Sequence, residues 1–276
     1  MDDVLQYEGK TVVVTGAASG MGAATTAILV ELGAKVIALD IKPVASAVER
    51  SIECNLGDEA SIDAAIAAIE GPVDALLCCA GLPGPPFSEL DVFTVNFIGG
   101  RHLIEGMVAT KVARGGSVGW IASAAGAGWQ LRVDMFRGLL ETPGFGAAQQ
   151  WFLEHPEAGA FMAYTGSKWA INIYTAWRSH DFIRDNGVRL NCLNPGPTDT
   201  AMMPSFVETN TLDAIDQAQG SIGRHSTADE QAWPLVMLCS PRLSYVAGEA
   251  LWVDGGYIGP MTTGRIEGYN FLLEPL

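Results

Sequence analysis

Short β-branched or apolar runs alternate along the chain with stretches whose apolar residues recur every three or four positions. Thr11–Thr15 (TVVVT), bounded by Gly16, predicts a buried strand. Met21, Ala24, Thr25, Ile28, Leu29 and Leu32 then follow at helical spacing, and Gly33 closes that helix. Lys35–Leu39 predicts a second strand ending at Asp40, and Ile62, Ile66 and Ile69 mark an amphipathic helix. Val73–Cys79 predicts a strand stopped by Ala80-Gly81 and a loop rich in Pro and Gly. Val92–Val112 carries a long helical pattern, and Ser117–Ala122 a strand. Beyond them the pattern predicts a helix over Tyr164–Arg184, a strand Val188–Leu193, a helix near Ala228–Leu238 and a strand Ala250–Val253.

Strands separated by helices predict an α/β fold: one Rossmann-type, doubly wound parallel sheet with helices on both faces. The expectation is one domain over residues 1–276. Two stretches exceed a minimal version of this plan, an insert at 124–163 and a tail at 257–276. The insert carries Trp129, Leu131, Met135, Phe136, Leu139, Leu140, Trp151, Phe152 and Leu153. That is too much apolar surface for a solvated loop, so short packed helices are expected, broken at Gly138 and at Pro143-Gly144.

Composition adds limits. Hydrophobic residues are 49% of the 276 and charged ones 17%, enough for a large core. The net charge of −15 opposes phosphate backbones and anionic lipid, so neither a nucleic acid nor a membrane is an expected partner. It leaves room for an anionic cofactor held by local backbone groups. No apolar run approaches the ~20 residues of a membrane span, and MDDVLQYEGK has no apolar stretch of the kind a secretory signal needs. Five cysteines, most of them beside apolar residues, read as reduced buried thiols of a cytoplasmic protein. The adjacent Cys78 and Cys79 suit neither a zinc knuckle nor a CxxC redox pair.

Two patterns carry chemistry. Thr15 to Gly22 (TGAASGMG) lies between the first strand and the first helix, where glycines and free N–H groups can approach a pyrophosphate. By itself such a turn is equally well a tight loop; its place between strand and helix favours the cofactor. Asp40 at the end of the second strand could accept bonds from ribose hydroxyls and would repel a 2′-phosphate, favouring NAD. Lys42 could partly offset that repulsion, so NADP stays open as the alternative. Tyr164 and Lys168 sit four residues apart on one predicted helix face. A Lys⁺ beside the phenol would lower its pKa and suit it to acid–base work near neutrality.

With these landmarks in order, the chain resembles the short-chain dehydrogenase/reductase family over residues 8–256. The matching residues are the Thr15–Gly22 loop, Asp40, Ala80-Gly81, Asn96, Ser123, Tyr164 with Lys168, and Asn194-Pro195-Gly196 followed by Thr198. The Cys79–Leu82 run, the long interval from Ser123 to Tyr164 and Val188–Asn191 resemble the 3α-hydroxysteroid dehydrogenase/carbonyl reductase and coniferyl-alcohol dehydrogenase-like subgroup. The resemblance implies that Ser123 orients the substrate oxygen, Tyr164 transfers its proton, Lys168 lowers the Tyr pKa and holds the nicotinamide ribose, and Asn96 positions a water. It implies cofactor contacts at Gly16, Ser19, Gly20, Met21, Gly22, Asp40, Asn55, Leu56, Cys79, Ala80, Gly81, Tyr164, Lys168, Pro195, Gly196 and Thr198. It involves no metal. The chain departs from the family pattern at Cys78-Cys79, where Asn-Asn is usual, and at Asn55, where Asp is usual.

The expected activity is NAD-dependent interconversion of a bulky apolar alcohol, hydroxysteroid or aromatic, with its carbonyl compound. Met202, Met203 and Phe206 are expected over the substrate. The rivals are an NADP-linked reductase and a non-catalytic dinucleotide sensor; a sensor would be expected to lack part of the set Asn96, Ser123, Tyr164 and Lys168. The insert should lie along the outer side of the Tyr164 helix and alter assembly there, leaving a homodimer.

Overall fold

The computed structural model describes residues 3–159, 162–209, 212–267 and 274. Seven parallel strands form one sheet: β1 Thr11–Thr15, β2 Lys35–Asp40, β3 Arg50–Glu53, β4 Val73–Cys78, β5 Val112–Ile121, β6 Arg189–Pro195 and β7 Ala250–Val253. Their spatial order is β3-β2-β1-β4-β5-β6-β7. The order reverses between β1 and β4, and such a reversal opens a crevice at the carboxyl ends of the strands. Central strands are buried on both faces, as the residues of β1 and β6 show. β1 accordingly reads as a continuous β-branched run, whereas β6 buries Arg189, Asn191 and Asn194 among its apolar residues, each of them hydrogen-bonded.

Two apolar clusters lie on opposite sides of the sheet. On one side α1 (Gly20–Glu31) places Ile28 and Leu29 against Leu235 and Val236 of a helix at Ala228–Cys239. On the other, α2 (Glu59–Ala68), α3 (Glu89–Phe93), α4 (Gly100–Thr110) and the helix at Ala163–Asp181 enclose the aromatic group Phe93, Phe97, Trp120 and Tyr174. The doubly wound expectation therefore holds.

Several details differ from the pattern-based reading. The strand β3 was not expected: it is a four-residue edge strand with only Ile52 half-buried, so it has no run of apolar residues to announce it. The predicted helix at Val92–Val112 begins earlier and is interrupted by a π-helical stretch, Thr94–Gly99, that joins α3 to α4. The insert folds as α5 (Val133–Leu140) and α6 (Phe145–Glu154) with flanking 3₁₀ turns at Trp129–Arg132 and Pro156–Gly159. Pro143-Gly144 separates the two helices. Gly138 does not break anything: it sits inside α5, where an added Cβ would meet Trp151 Nε1 at 2.8 Å. Its small size permits the close approach of α6.

The insert is packed against the domain. Phe93 and Phe152 stack at 4.3 Å between ring centroids. Arg132 is 1% exposed, lies 4.8 Å from the centroid of Trp169, and its three guanidinium nitrogens have no hydrogen-bond partner. Next along the chain, α7 (Ala163–Asp181) leads through a π turn at Phe182–Asn186 into β6. The segments α8 (Met203–Thr209) and α9 (Leu212–Gln217) follow β6, then α10 (Ala228–Cys239). In the tail, α11 (Ile258–Thr262) buries Ile258 and Met261; residues 268–273, 275 and 276 lie outside the described residues. Among the described residues no helix is long and apolar enough to cross a membrane.

Candidate active site

The first wall of the crevice is the loop between β1 and α1. Thr15 Oγ1 accepts from the backbone N–H groups of Cys79 (3.1 Å) and Ala80 (3.2 Å), which ties this loop to the end of β4. Gly16 has φ +66°, and a Cβ there would lie 2.7 Å from Ala80 N. A Cβ at Gly22 would overlap the carbonyl oxygen of Gly16. Only glycine allows the loop to fold back on the first turn of α1 this tightly. Ser19 is the N-cap residue of α1, and its side chain makes no capping bond. The first N–H groups of α1 therefore point from a positively polarised helix end into a space shaped by missing side chains, which suits a pyrophosphate.

Asp40 ends β2 beside this loop. Its Oδ2 accepts from Ala18 N–H and its Oδ1 from Lys42 N–H, each at 2.9 Å. An ionised carboxylate offers about four lone-pair sites, so two remain for ribose hydroxyls. Asn55 is exposed, and its Oδ1 accepts from Gly57 N–H at 2.9 Å. Leu56 is buried, with its carbonyl pressed against Gly99. The residues present therefore fit a dinucleotide. The half-buried Cys79 shares a wall with the loop; burial pushes its thiol pKa up to about 12, against the pull of a hydrogen bond with Thr25.

The crevice opens into a cavity of about 450 Å³. Met21, Cys79, Ala80, Gly81, Ser123, Tyr164, Lys168, Pro195, Gly196 and Thr198 all line it. So do Met202, Met203 and Phe206, as expected for the segment over the substrate, together with Ile215, Ala218 and Tyr257. The last three, with Met162 and the Leu82–Phe87 loop, were not anticipated; no spacing rule connects them to the motif residues. Asn96 is not on the cavity wall. It sits in the π-helical stretch, 1% exposed, where its side chain accepts from Leu82 N–H (2.6 Å) and donates to Leu82 O (3.0 Å) and Ser167 Oγ (3.3 Å). It thus fastens the Leu82 loop to α7 at Ser167.

The carboxyl end of β5 delivers Ser123, whose Oγ accepts from Ala125 N–H at 3.1 Å and so begins a 3₁₀ turn. Tyr164 and Lys168, four residues apart on α7, face this turn. Lys168 Nζ lies 5.2 Å from the centroid of the Tyr164 ring and donates to Ile121 O at 3.2 Å. The ring of Phe206 meets that of Tyr164 edge-on, 5.1 Å between centroids. Burial raises the pKa of Tyr164, and a hydrogen bond with Ser123 pulls the other way. Burial also draws Lys168 down to about 7. The expected lowering of the phenol by a fully charged ammonium is therefore not what this form displays. Desolvation penalises both charged species, which favours the neutral phenol of Tyr164 and draws Lys168 toward its neutral amine.

These residues share one cleft, and the sequence comparisons agree with what the cleft resembles. The family profile described as short chain dehydrogenase matches residues 10–133, and that described as enoyl-(acyl carrier protein) reductase matches 155–258. A coniferyl-alcohol dehydrogenase from a Pseudomonas species is 31% identical over 252 residues, covering 91% of this chain and 98% of that protein. The chain belongs to the short-chain dehydrogenase family. Another member, the 3-alpha-hydroxysteroid dehydrogenase/carbonyl reductase of Comamonas testosteroni, is 30% identical over 89% of this chain and 95% of its own. Among solved structures, a 3-alpha-hydroxysteroid dehydrogenase from a Pseudomonas strain, complexed with NADH, superposes with a TM-score of 0.77 at 25% identity. That match covers 94% of this chain and all of the other. In this short-chain dehydrogenase the two family profiles leave out residues 134–154, nearly all of α5 and the whole of α6. The middle of the insert thus falls between the two profile matches, while 124–133 and 155–163 lie within them.

Proposed function

We propose that this short-chain dehydrogenase interconverts a bulky apolar alcohol and its carbonyl compound with NAD, using Tyr164 as the acid–base group. One observation carries the reading: Ser123, Tyr164 and Lys168 converge on a single, mostly apolar cavity that Met21, at the end of the glycine loop, also lines. In the reducing direction the buried, protonated Tyr164 hydroxyl gives its proton to the substrate oxygen while the Ser123 hydroxyl orients that oxygen. In the oxidising direction Tyr164 must first release its own proton to solvent; the phenolate oxygen then takes the proton of the substrate hydroxyl. The chemistry the cofactor supplies when bound is hydride exchange at the carbinol carbon. Lys168 and Asp40 would hold the two riboses, and the first turn of α1 the pyrophosphate. Asn96 acts on this reading by holding the Leu82 loop against α7.

The cavity wall supports the substrate class. Met202, Met203, Phe206, Val92 and Leu82 offer apolar and adaptable surface. Its one carboxylate among the described lining residues is Glu89, at the exposed rim, which disfavours anionic substrates. The names of the relatives, an aromatic alcohol dehydrogenase and a hydroxysteroid dehydrogenase, point the same way. The Asp40 carboxylate, and the NADH in the similar hydroxysteroid dehydrogenase, support NAD over NADP. Four of five cysteines are buried and none is paired, in keeping with a reducing, cytoplasmic setting. The insert lying along α7 supports a homodimer built away from that helix.

The test is an absorbance assay of NAD and NADP reduction across hydroxysteroids, aromatic alcohols and simple secondary alcohols. Turnover with NAD and a bulky apolar alcohol is expected. Absence of turnover with every alcohol, or a wide preference for NADP, would overturn the corresponding part of the reading.

A further inference from the structure

Behind the cavity wall two asparagines, both fully buried, face each other: Asn172 on α7 and Asn194 on β6. Their side-chain amides exchange two hydrogen bonds. Asn172 Nδ2 donates to Asn194 Oδ1 at 3.0 Å, and Asn194 Nδ2 donates to Asn172 Oδ1 at 2.9 Å. Each amide has one further anchor on the machinery side. Asn172 Nδ2 donates to the Lys168 carbonyl at 3.1 Å, and Asn194 Oδ1 accepts from the Ser123 N–H at 3.3 Å. A backbone carbonyl only accepts and a backbone N–H only donates, so neither amide can be turned over without losing a bond. The chain of bonds therefore has one orientation, running from the Ser123 backbone through two amides to the Lys168 backbone.

The remaining contacts reinforce it. Asn172 Oδ1 also accepts from Cys192 Sγ at 3.1 Å. The turn after Ser123 is fastened a second time from α7, by Trp169 Nε1 donating to Ala127 O at 2.8 Å. A Cβ on Gly126 would run into Asn172 Nδ2, so the turn is pressed directly on this amide. Two fully buried amide side chains cost stability unless every group is paired. Here the amide groups are paired, and the pairing ends on the backbones of two site residues.

We infer that the Asn172–Asn194 pair is a positioning device: Asn194 fixes the height of Ser123 against Tyr164, and Asn172 ties that setting to the helix that carries Tyr164 and Lys168. Neither asparagine touches substrate. The inference rests on the proposed role of Ser123. Loss of the Asn194 acceptor frees the Ser123 N–H and lets the turn drift, and drift of about 1 Å in a reacting geometry lowers turnover by up to roughly 100-fold.

The test is a double-mutant cycle of Ser123→Ala and Asn194→Ala, reading kcat and KM with the best alcohol and NAD, and the Kd of NAD by titration. Asn194→Ala should lower kcat about 10- to 100-fold and leave the Kd of NAD within about threefold. Added to Ser123→Ala, it should cause no further loss, because it acts through Ser123. A second variant, Asn172→Leu with Asn194→Leu, removes both amides together, which leaves fewer orphaned groups than removing one. It should fold, bind NAD and still show the reduced kcat. Wild-type kcat in either variant, or full additivity in the cycle, would overturn the inference. If Ser123→Ala alone leaves kcat unchanged, the proposed role of Ser123 falls, and this inference with it. If Ser123→Ala lowers kcat and the effects add, only the positioning inference falls.

Discussion

Replacing Gly16 by alanine tests the cofactor end of the cleft. Gly16 has φ +66°, which places a side-chain-bearing residue in the left-handed region at a cost of about 1–2 kcal/mol. The new methyl would also lie 2.7 Å from Ala80 N and 2.8 Å from Ala80 Cα, backbone atoms that cannot swing aside. Crowding of this kind adds about 1–3 kcal/mol, so the total destabilisation is about 2–5 kcal/mol. At roughly 2–4 °C per kcal/mol, the melting temperature should fall by about 4–20 °C. The push separates the glycine loop from the Ala80-Gly81 turn, the two walls between which the pyrophosphate is proposed to sit. Loss of one charge-assisted hydrogen bond there is worth about 1.5–3 kcal/mol, so the Kd of NAD should rise at least tenfold. Calorimetric titration of NAD below the melting range reads the second effect separately from the first. Gly146→Ala is the control: Gly146 lies in α6 with nothing near its missing Cβ, so stability should hold or rise and the Kd stay put. A Gly16→Ala protein that melts early yet binds NAD as the wild type does would refute the assignment of the loop to the cofactor.

Removing the carboxylate in Asp40→Ala should weaken NAD and improve relative use of NADP, measured as kcat/KM for each cofactor; an unchanged ratio would mean that Asp40 does not face the ribose. Arg132→Met should melt at the wild-type temperature or above, because it removes a buried guanidinium that has no hydrogen-bond partner and keeps an apolar contact with Trp169. A drop beyond about 5 °C would show that the cation–π contact outweighs desolvation. Lys168 has a folded-state pKa near 7, below its unfolded value of about 10.5, so the folded chain holds fewer protons between those values. The burial penalty is complete below pH 7 and fades as pH rises. The stability gain of Lys168→Met over wild type should therefore be largest at or below pH 7 and shrink by about 1.4 kcal/mol per pH unit above it, as read by denaturant melts. A pH-independent difference would contradict that sign.

Features set by local covalent spacing were legible in the chain itself. The glycine loop, Asp40 and the Tyr164–Lys168 pair depend on a strand-to-helix turn and one helix repeat, and six strands announced themselves as short runs set between helical patterns and turn signals. Features that depend on a partner far away in sequence were not. The strand β3 is held at the sheet edge by pairing with β2, with Arg50, Ser51 and Glu53 exposed, so its residues look like a loop. The π-helical stretch at Thr94–Gly99 coincides with an asparagine whose partners are Leu82 and Ser167, fourteen and seventy-one residues away. Asn172 could have been noted four residues after Lys168, on the same helix face, but its meaning depends on Asn194, twenty-two residues away on β6. Gly138 read as a helix breaker because propensity ignores the neighbour that needs its small size. The pKa expectation for Tyr164 failed for a related reason: spacing reveals the Lys168 charge but not the burial that suppresses it.

Tyr164 is the group proposed to move the proton. Tyr164→Phe keeps the ring, including its edge-on contact with Phe206, and removes only the hydroxyl. The decisive measurement is NAD reduction by wild type and Tyr164→Phe with the best bulky alcohol, alongside NAD titration of both. Turnover of Tyr164→Phe should be lower by about two to four orders of magnitude, the usual loss for a general acid–base group, with the Kd of NAD nearly unchanged. Turnover near the wild-type rate in Tyr164→Phe would contradict that role.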